Sequence, residues 1–101
     1  MPVHVVHVPE NDRYEVRVDG ELAGYAEYMA TEHVTVFTHS EVYDAYEGQG
    51  LGGTLAKGVL DAVRSEGRMV LPLCPFIKGW IARHPEYADL VVEDPRDTAD
   101  G

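Results

Sequence analysis

Tyr46-Glu47-Gly48-Gln49-Gly50-Leu51-Gly52-Gly53-Thr54-Leu55 places four glycines in six positions directly before an amphipathic run. Glycines so placed leave backbone N–H groups open at a helix N-terminus, where anions bind, most often the phosphates of a nucleotide-like ligand. Downstream, Leu51, Leu55, Val59 and Ala62 lie on one helical stripe that Leu60 and Val63 widen, with Lys57, Asp61 and Arg64 toward solvent. Gly67 supplies the residue that closes such a helix. Met69 to Leu73 is a short continuous apolar run, read as a buried strand that Pro72 keeps from pairing fully. Pro75 suits the first position of a second helix through Phe76, Ile77, Trp80 and Ile81, which ends before Pro85.

Upstream of the turn the period is two. Val3 to Val8 is β-branched, and Tyr14 to Val18 alternates apolar and charged residues. Asp19-Gly20 is a hairpin signal, Glu21 to Met29 the returning strand, and Thr31-Glu32 a turn into His33–His39. The order is β-β-β-β-α-β-α, an antiparallel meander followed by α-β-α, and the fold class is α+β (mixed α/β). One domain is expected over residues 1–91, with 92–101 an acidic, mobile tail lacking apolar anchors.

Composition narrows the partners. The 101 residues carry a net charge of −10, which argues against nucleic acid because a phosphate backbone needs a basic face. An acidic surface suits a basic acceptor, though solubility explains it as well. Cys74 is the one cysteine, so no intrachain disulfide forms, which fits a reducing compartment. No apolar run reaches the ~18 residues of a membrane span, and the start lacks a signal sequence, so a cytoplasmic protein is expected. No histidine spacing suggests a metal site.

Three patterns compete for the glycine turn. Gly48-x-Gly50-x-x-Gly53 has the dinucleotide spacing, yet the polar stretch from Ser40 to Glu47 replaces the apolar strand that must precede it. The phosphate-loop pattern fails because Thr54, not a lysine, follows Gly53. Glu47-Gly48-Gln49-Gly50-Leu51-Gly52 instead resembles the pyrophosphate turn of the GNAT acetyltransferase superfamily, departing at Glu47, where that family carries Arg or Gln. Phe37-Thr38-His39-Ser40-Glu41-Val42, Pro72-Leu73-Cys74-Pro75-Phe76-Ile77 and Trp80-Ile81-x-x-His84-Pro85-Glu86-Tyr87 extend the likeness to its small single-domain members, over roughly residues 14 to 90. The resemblance implies a minimal GNAT-like fold and acetyl-CoA as cosubstrate. It also implies a cofactor site on Val42, Glu47, Gly48, Gln49, Gly50, Leu51, Gly52, Gly53 and Phe76.

Three side chains are candidates for catalysis. Cys74 precedes Pro75 and so stands at a helix N-terminus, whose N–H groups stabilise a thiolate able to accept an acetyl group. The resemblance places it beside the CoA thioester; otherwise it is a small buried hydrophobe. His39 shares a strand face with Phe37 and Glu41 by spacing, and imidazole suits proton transfer from an ammonium acceptor. Glu41 would orient His39 or act as base. His84 reads as a helix-end cap, and Trp80, Phe76 and Ile77 as core, with Phe76 near enough to Cys74 to line a pocket. Lys57, Lys78 and Arg83 are candidates for the CoA 3′-phosphate. The function expected is an acetyl-CoA-dependent N-acetyltransferase acting on a small amine or protein lysine. A non-catalytic CoA or acyl-CoA binding module is the alternative.

Overall fold

The computed structural model describes residues 2–92. Its main elements run β1 (Val3–Val8), β2 (Arg13–Val18), β3 (Glu21–Ala30), β4 (Val34–Val42), α1 (Leu51–Ser65), β5 (Met69–Pro72) and α2 (Pro75–Arg83). That is the β-β-β-β-α-β-α order expected, and the class is α+β. The strands form one sheet in sequence order; the first three pairings are antiparallel and β4 with β5 is parallel. Parallel neighbours need a crossover, and α1 provides it. The acidic segment assigned to a tail lies outside the described residues from 93 onward. Val92 is described: it is buried, and its N–H donates to Val70 O at 2.9 Å.

Local chemistry sets the turns. Asp19 and Gly20 take φ of 51° and 85°, the left-handed pair of the tight hairpin turn that joins β2 to β3. At the far end of α1, Gly67 N–H donates to Arg64 O at 3.0 Å and Arg68 N–H to Val63 O at 3.1 Å, a Schellman closure.

The core lies between one sheet face and the helices. Leu51, Leu55, Val59, Leu60 and Val63 of α1 meet Val16, Ala26 and Phe37 of the sheet, and Ile77 and Trp80 of α2 complete the cluster. Of the run read as a buried strand, only Val70 is buried; Met69 is exposed and Leu71 and Pro72 half-buried, because β5 is the last strand of the sheet.

One bulge alters the reading of β4. Glu27 pairs with His39 and the next residue, Tyr28, with Phe37, so Thr38 is the extra residue. A bulge of one residue reverses which face the following side chains take. Phe37 is fully buried on the helix side, whereas His39 and Glu41 are exposed and stand on the opposite face. The expected shared face of His39 and Phe37 is therefore corrected: His39 keeps company with Glu41, not with Phe37.

That outer face carries one buried charge. Glu15 is 3% exposed and lies between Arg13 (2.6 Å) and Arg17 (2.7 Å). Burial pushes its carboxyl up, but the hydrogen bonds from Arg17 and Arg13 outweigh that and hold it below the usual range.

Candidate functional site

β4 and β5 part company at Phe37. Its carbonyl accepts the N–H groups of both Leu73 and Cys74 at 3.0 Å, and the parallel pairing ends at Phe37–Pro72. Residues 38–42 of β4 therefore have no β5 partner on that edge, and their backbone groups there are open to a ligand. A cleft of about 410 Å³ begins here, walled by Ser40 and Val42 of β4, Leu55 of α1 and Phe76 of α2.

The glycine turn closes its other end. After a short 3-10 turn at Asp44–Tyr46, Gly48 and Gly50 take φ of 83° and 73°. Gly50 is the N-cap of α1 in left-handed conformation, so its carbonyl accepts the first helical bond from Thr54 N–H at 3.2 Å. The N–H groups of Leu51, Gly52 and Gly53 precede any helical partner. No side chain caps this end and no acidic residue occupies the first turn. The helix dipole adds positive potential at the same point. Gly52 is glycine for room: a Cβ there would stand 2.8 Å from Cζ of Phe76, whose ring covers the turn.

Most of the proposed cofactor residues meet at this cleft. Val42, Glu47, Gly48, Gly50, Leu51, Gly52 and Phe76 all line it, while Gln49 and Gly53 lie beside it in the turn without forming its wall. Phe76 is 37% exposed, so its reading as core packing is corrected: it is a wall of the cleft. Neither lysine nor arginine lines the cleft, which leaves backbone N–H groups as the anion donors and sets Glu47 against them. Of the three basic candidates, Lys57 is bound to Asp61 at 2.8 Å. Among the described residues neither Lys78 nor Arg83 forms an ion pair.

Of the catalytic candidates, His39 and Glu41 are paired on β4 and Cys74 stands apart at the start of α2. Cys74 is 3% exposed at the N-cap of α2, at the vertex where the strands split, and is not part of the cleft wall. His39 Nε2 stands 3.8 Å from Glu41 Oε1, both more than 45% exposed on the outer face of the split strand. Glu41 also lines the cleft and accepts a long hydrogen bond (3.5 Å) from Tyr25. Burial, with Glu41 and Glu27 nearby, raises the Tyr25 phenol above its ordinary value. His84 is a cap as read: its Nδ1 donates to Trp80 O at 2.8 Å while its ring stacks on Trp80 at 3.8 Å. Sequence reasoning passed over Ser40, Tyr46 and Leu55, which also line the cleft. The alternation of β4 would have pointed to Ser40 and Val42 had the bulge been visible. Among the described residues no cluster of three metal-ligating side chains occurs, and no helix is long and apolar enough to cross a membrane.

A sheet split between β4 and β5 beside an uncapped, glycine-started helix is the arrangement of the GNAT fold. Comparison with known proteins agrees. Residues 13–90 match the family described as GCN5-related N-acetyl-transferase, and the chain belongs to that family. It is 30% identical over 87 residues to Protein NATD1 of Mus musculus, covering 83% of this chain and 78% of that protein. Protein NATD1 of Homo sapiens is equally similar, with 76% of its length covered. In fold the chain is similar to a GCN5-like putative N-acetyltransferase from Staphylococcus aureus, with a TM-score of 0.67, 19% identity and coverage of 88% and 87%. It is also similar to the ribosomal-protein-S18-alanine N-acetyltransferase of Escherichia coli (TM-score 0.56, 20% identity), over 59% of this chain and 39% of that one. Membership implies acetyl-CoA as cosubstrate and an amine as acceptor.

Proposed function

We propose that this chain is an acetyl-CoA-dependent N-acetyltransferase whose thiol at Cys74 carries the acetyl group on its way to an amine. The observation that carries the reading is the split at Phe37. It leaves the β4 edge open for the pantetheine arm, leads to the uncapped N-terminus of α1 for the pyrophosphate, and has Cys74 at its vertex. When bound, acetyl-CoA supplies an activated thioester. Cys74 Sγ would bond to the acetyl carbon as the bond to the CoA sulfur breaks, and the thiol proton would leave with CoA. A cationic amine would first give one proton to His39, with Glu41 beside it; its nitrogen would then bond to that carbon as the bond to Sγ breaks, and the second proton would return to Sγ to restore the thiol.

The faces of the sheet support that division of labour. The cleft lies on the helix side, while the His39 side chain stands on the outer side of the same strand, paired with Glu41 at the cleft edge. Cosubstrate and amine would thus approach the split edge from opposite faces. The net charge of −10 favours a cationic acceptor, a small amine or a protein lysine. The lone thiol fits a reducing compartment, and the cytoplasm is the one proposed.

The test is an amine screen read by CoA release, followed by mass spectrometry of the protein after acetyl-CoA alone. The expected results are amine-dependent release and one acetyl group on Cys74, both lost in Cys74→Ala. Release that persists in Cys74→Ala would mean direct attack by the amine. No release with any amine, despite CoA binding, would leave a binding module.

A further inference from the structure

Ser40 is half-buried, and its Oγ is the one buried side-chain polar atom among the described residues that has no partner. A buried hydroxyl without a hydrogen bond is destabilising, and native folds keep such groups where something else completes them. Ser40 is part of the cleft wall, on the stretch of β4 that has no β5 partner. The bulge at Thr38 puts its side chain on the helix face with that of its cross-strand partner Ala26, and so on the cleft side of the strand.

Its place along the cleft selects the ligand atom. Val42 is the last wall residue of β4 before the chain leaves for the glycine turn, and Ser40 lies two residues further toward Phe37, roughly 6 to 7 Å along an extended strand. Along the strand this hydroxyl lies on the Phe37 side of Val42, the side toward which an arm extending from a phosphate at the α1 N-terminus would run to reach the vertex. We infer that Ser40 is a binding residue for the acyl-pantetheine arm, its Oγ–H donating to a carbonyl of that arm. The inference rests on the CoA reading above and deepens it. A serine hydroxyl reorients among three staggered rotamers, so the ligand needs only to bring an acceptor within reach.

Two measurements on Ser40→Ala separate this role from a structural one. In the ligand-free protein, Tm is expected to stay level or rise by a degree or two, because an unsatisfied buried group has been removed. Affinity for acetyl-CoA by calorimetry is expected to fall about three- to tenfold, the worth of one hydrogen bond, while affinity for adenosine 3′,5′-bisphosphate stays unchanged. A loss shared by acetyl-CoA and CoA would assign the bond to a pantetheine amide, and a loss confined to acetyl-CoA to the thioester carbonyl. Ser40→Thr, which retains the hydroxyl, should restore part of the affinity.

A variant that binds acetyl-CoA as tightly as the parent would overturn the inference. So would a fall in Tm with an equal loss for all ligands, since that is the mark of a packing residue. Failure of the parent itself to bind any CoA species is a different result, and it would remove the CoA reading.

Discussion

Glu47 is a carboxylate on the wall of a cleft whose anion donors are backbone N–H groups. Those N–H groups have no lysine or arginine on the wall to help them. A carboxylate near a phosphate site repels the ligand by an amount that falls with distance and solvent screening. Glu47→Gln is therefore expected to tighten acetyl-CoA binding about fivefold by calorimetry, with the difference shrinking at high salt. An unchanged or weaker affinity would mean that Glu47 points away from the ligand. At this scale the sequence was informative where chemistry is local. The glycines, Cys74 before Pro75 and the anomalous Glu47 could all be picked out along the chain. Ser40 could not, because an orphaned hydroxyl is a property of what surrounds it.

Elements hold the site, and two of them can be tested directly. The close approach of α2 to α1 depends on Gly52, where a Cβ would displace the tip of the Phe76 ring. The ring is at the end of a flexible side chain, so Gly52→Ala should change Tm by only a degree or two yet weaken CoA binding several-fold as the cleft wall shifts. The outer face of the sheet is stapled by Glu15 between Arg13 and Arg17. Since the folded carboxyl lies below its ordinary value of 4.5, its contribution to stability is complete above that pH and lost as pH falls through the folded value. Glu15→Gln should cost about 2 kcal/mol at neutral pH in chemical denaturation and lose that part of the acid dependence. Element order was legible in the sequence, because period two gives way to helical period at the glycine turn. The bulge was not: strand register depends on the partner, and nothing in Phe37-Thr38-His39 announces that Thr38 is the extra residue. That one residue moves His39 and Glu41 to the face opposite Phe37, and their proposed role with them.

For the whole molecule the decisive feature is a parallel pair that does not close. β1 to β4 form a continuous antiparallel platform, α1 crosses over it, and β5 joins β4 for only four residue pairs before α2 turns away. The gap beyond Phe37 is therefore a product of the topology, framed by backbone and glycine with no lysine or arginine on its wall. Such a site should recognise a long, amide-bearing arm attached to a pyrophosphate, and discriminate against a dinucleotide that carries the pyrophosphate without the arm. Isothermal titration of the chain with acetyl-CoA, CoA and NAD in parallel tests this most directly. Binding of both CoA species and not NAD is the expected result. Absence of any CoA binding, or equal affinity for NAD, would contradict the assignment of this cleft.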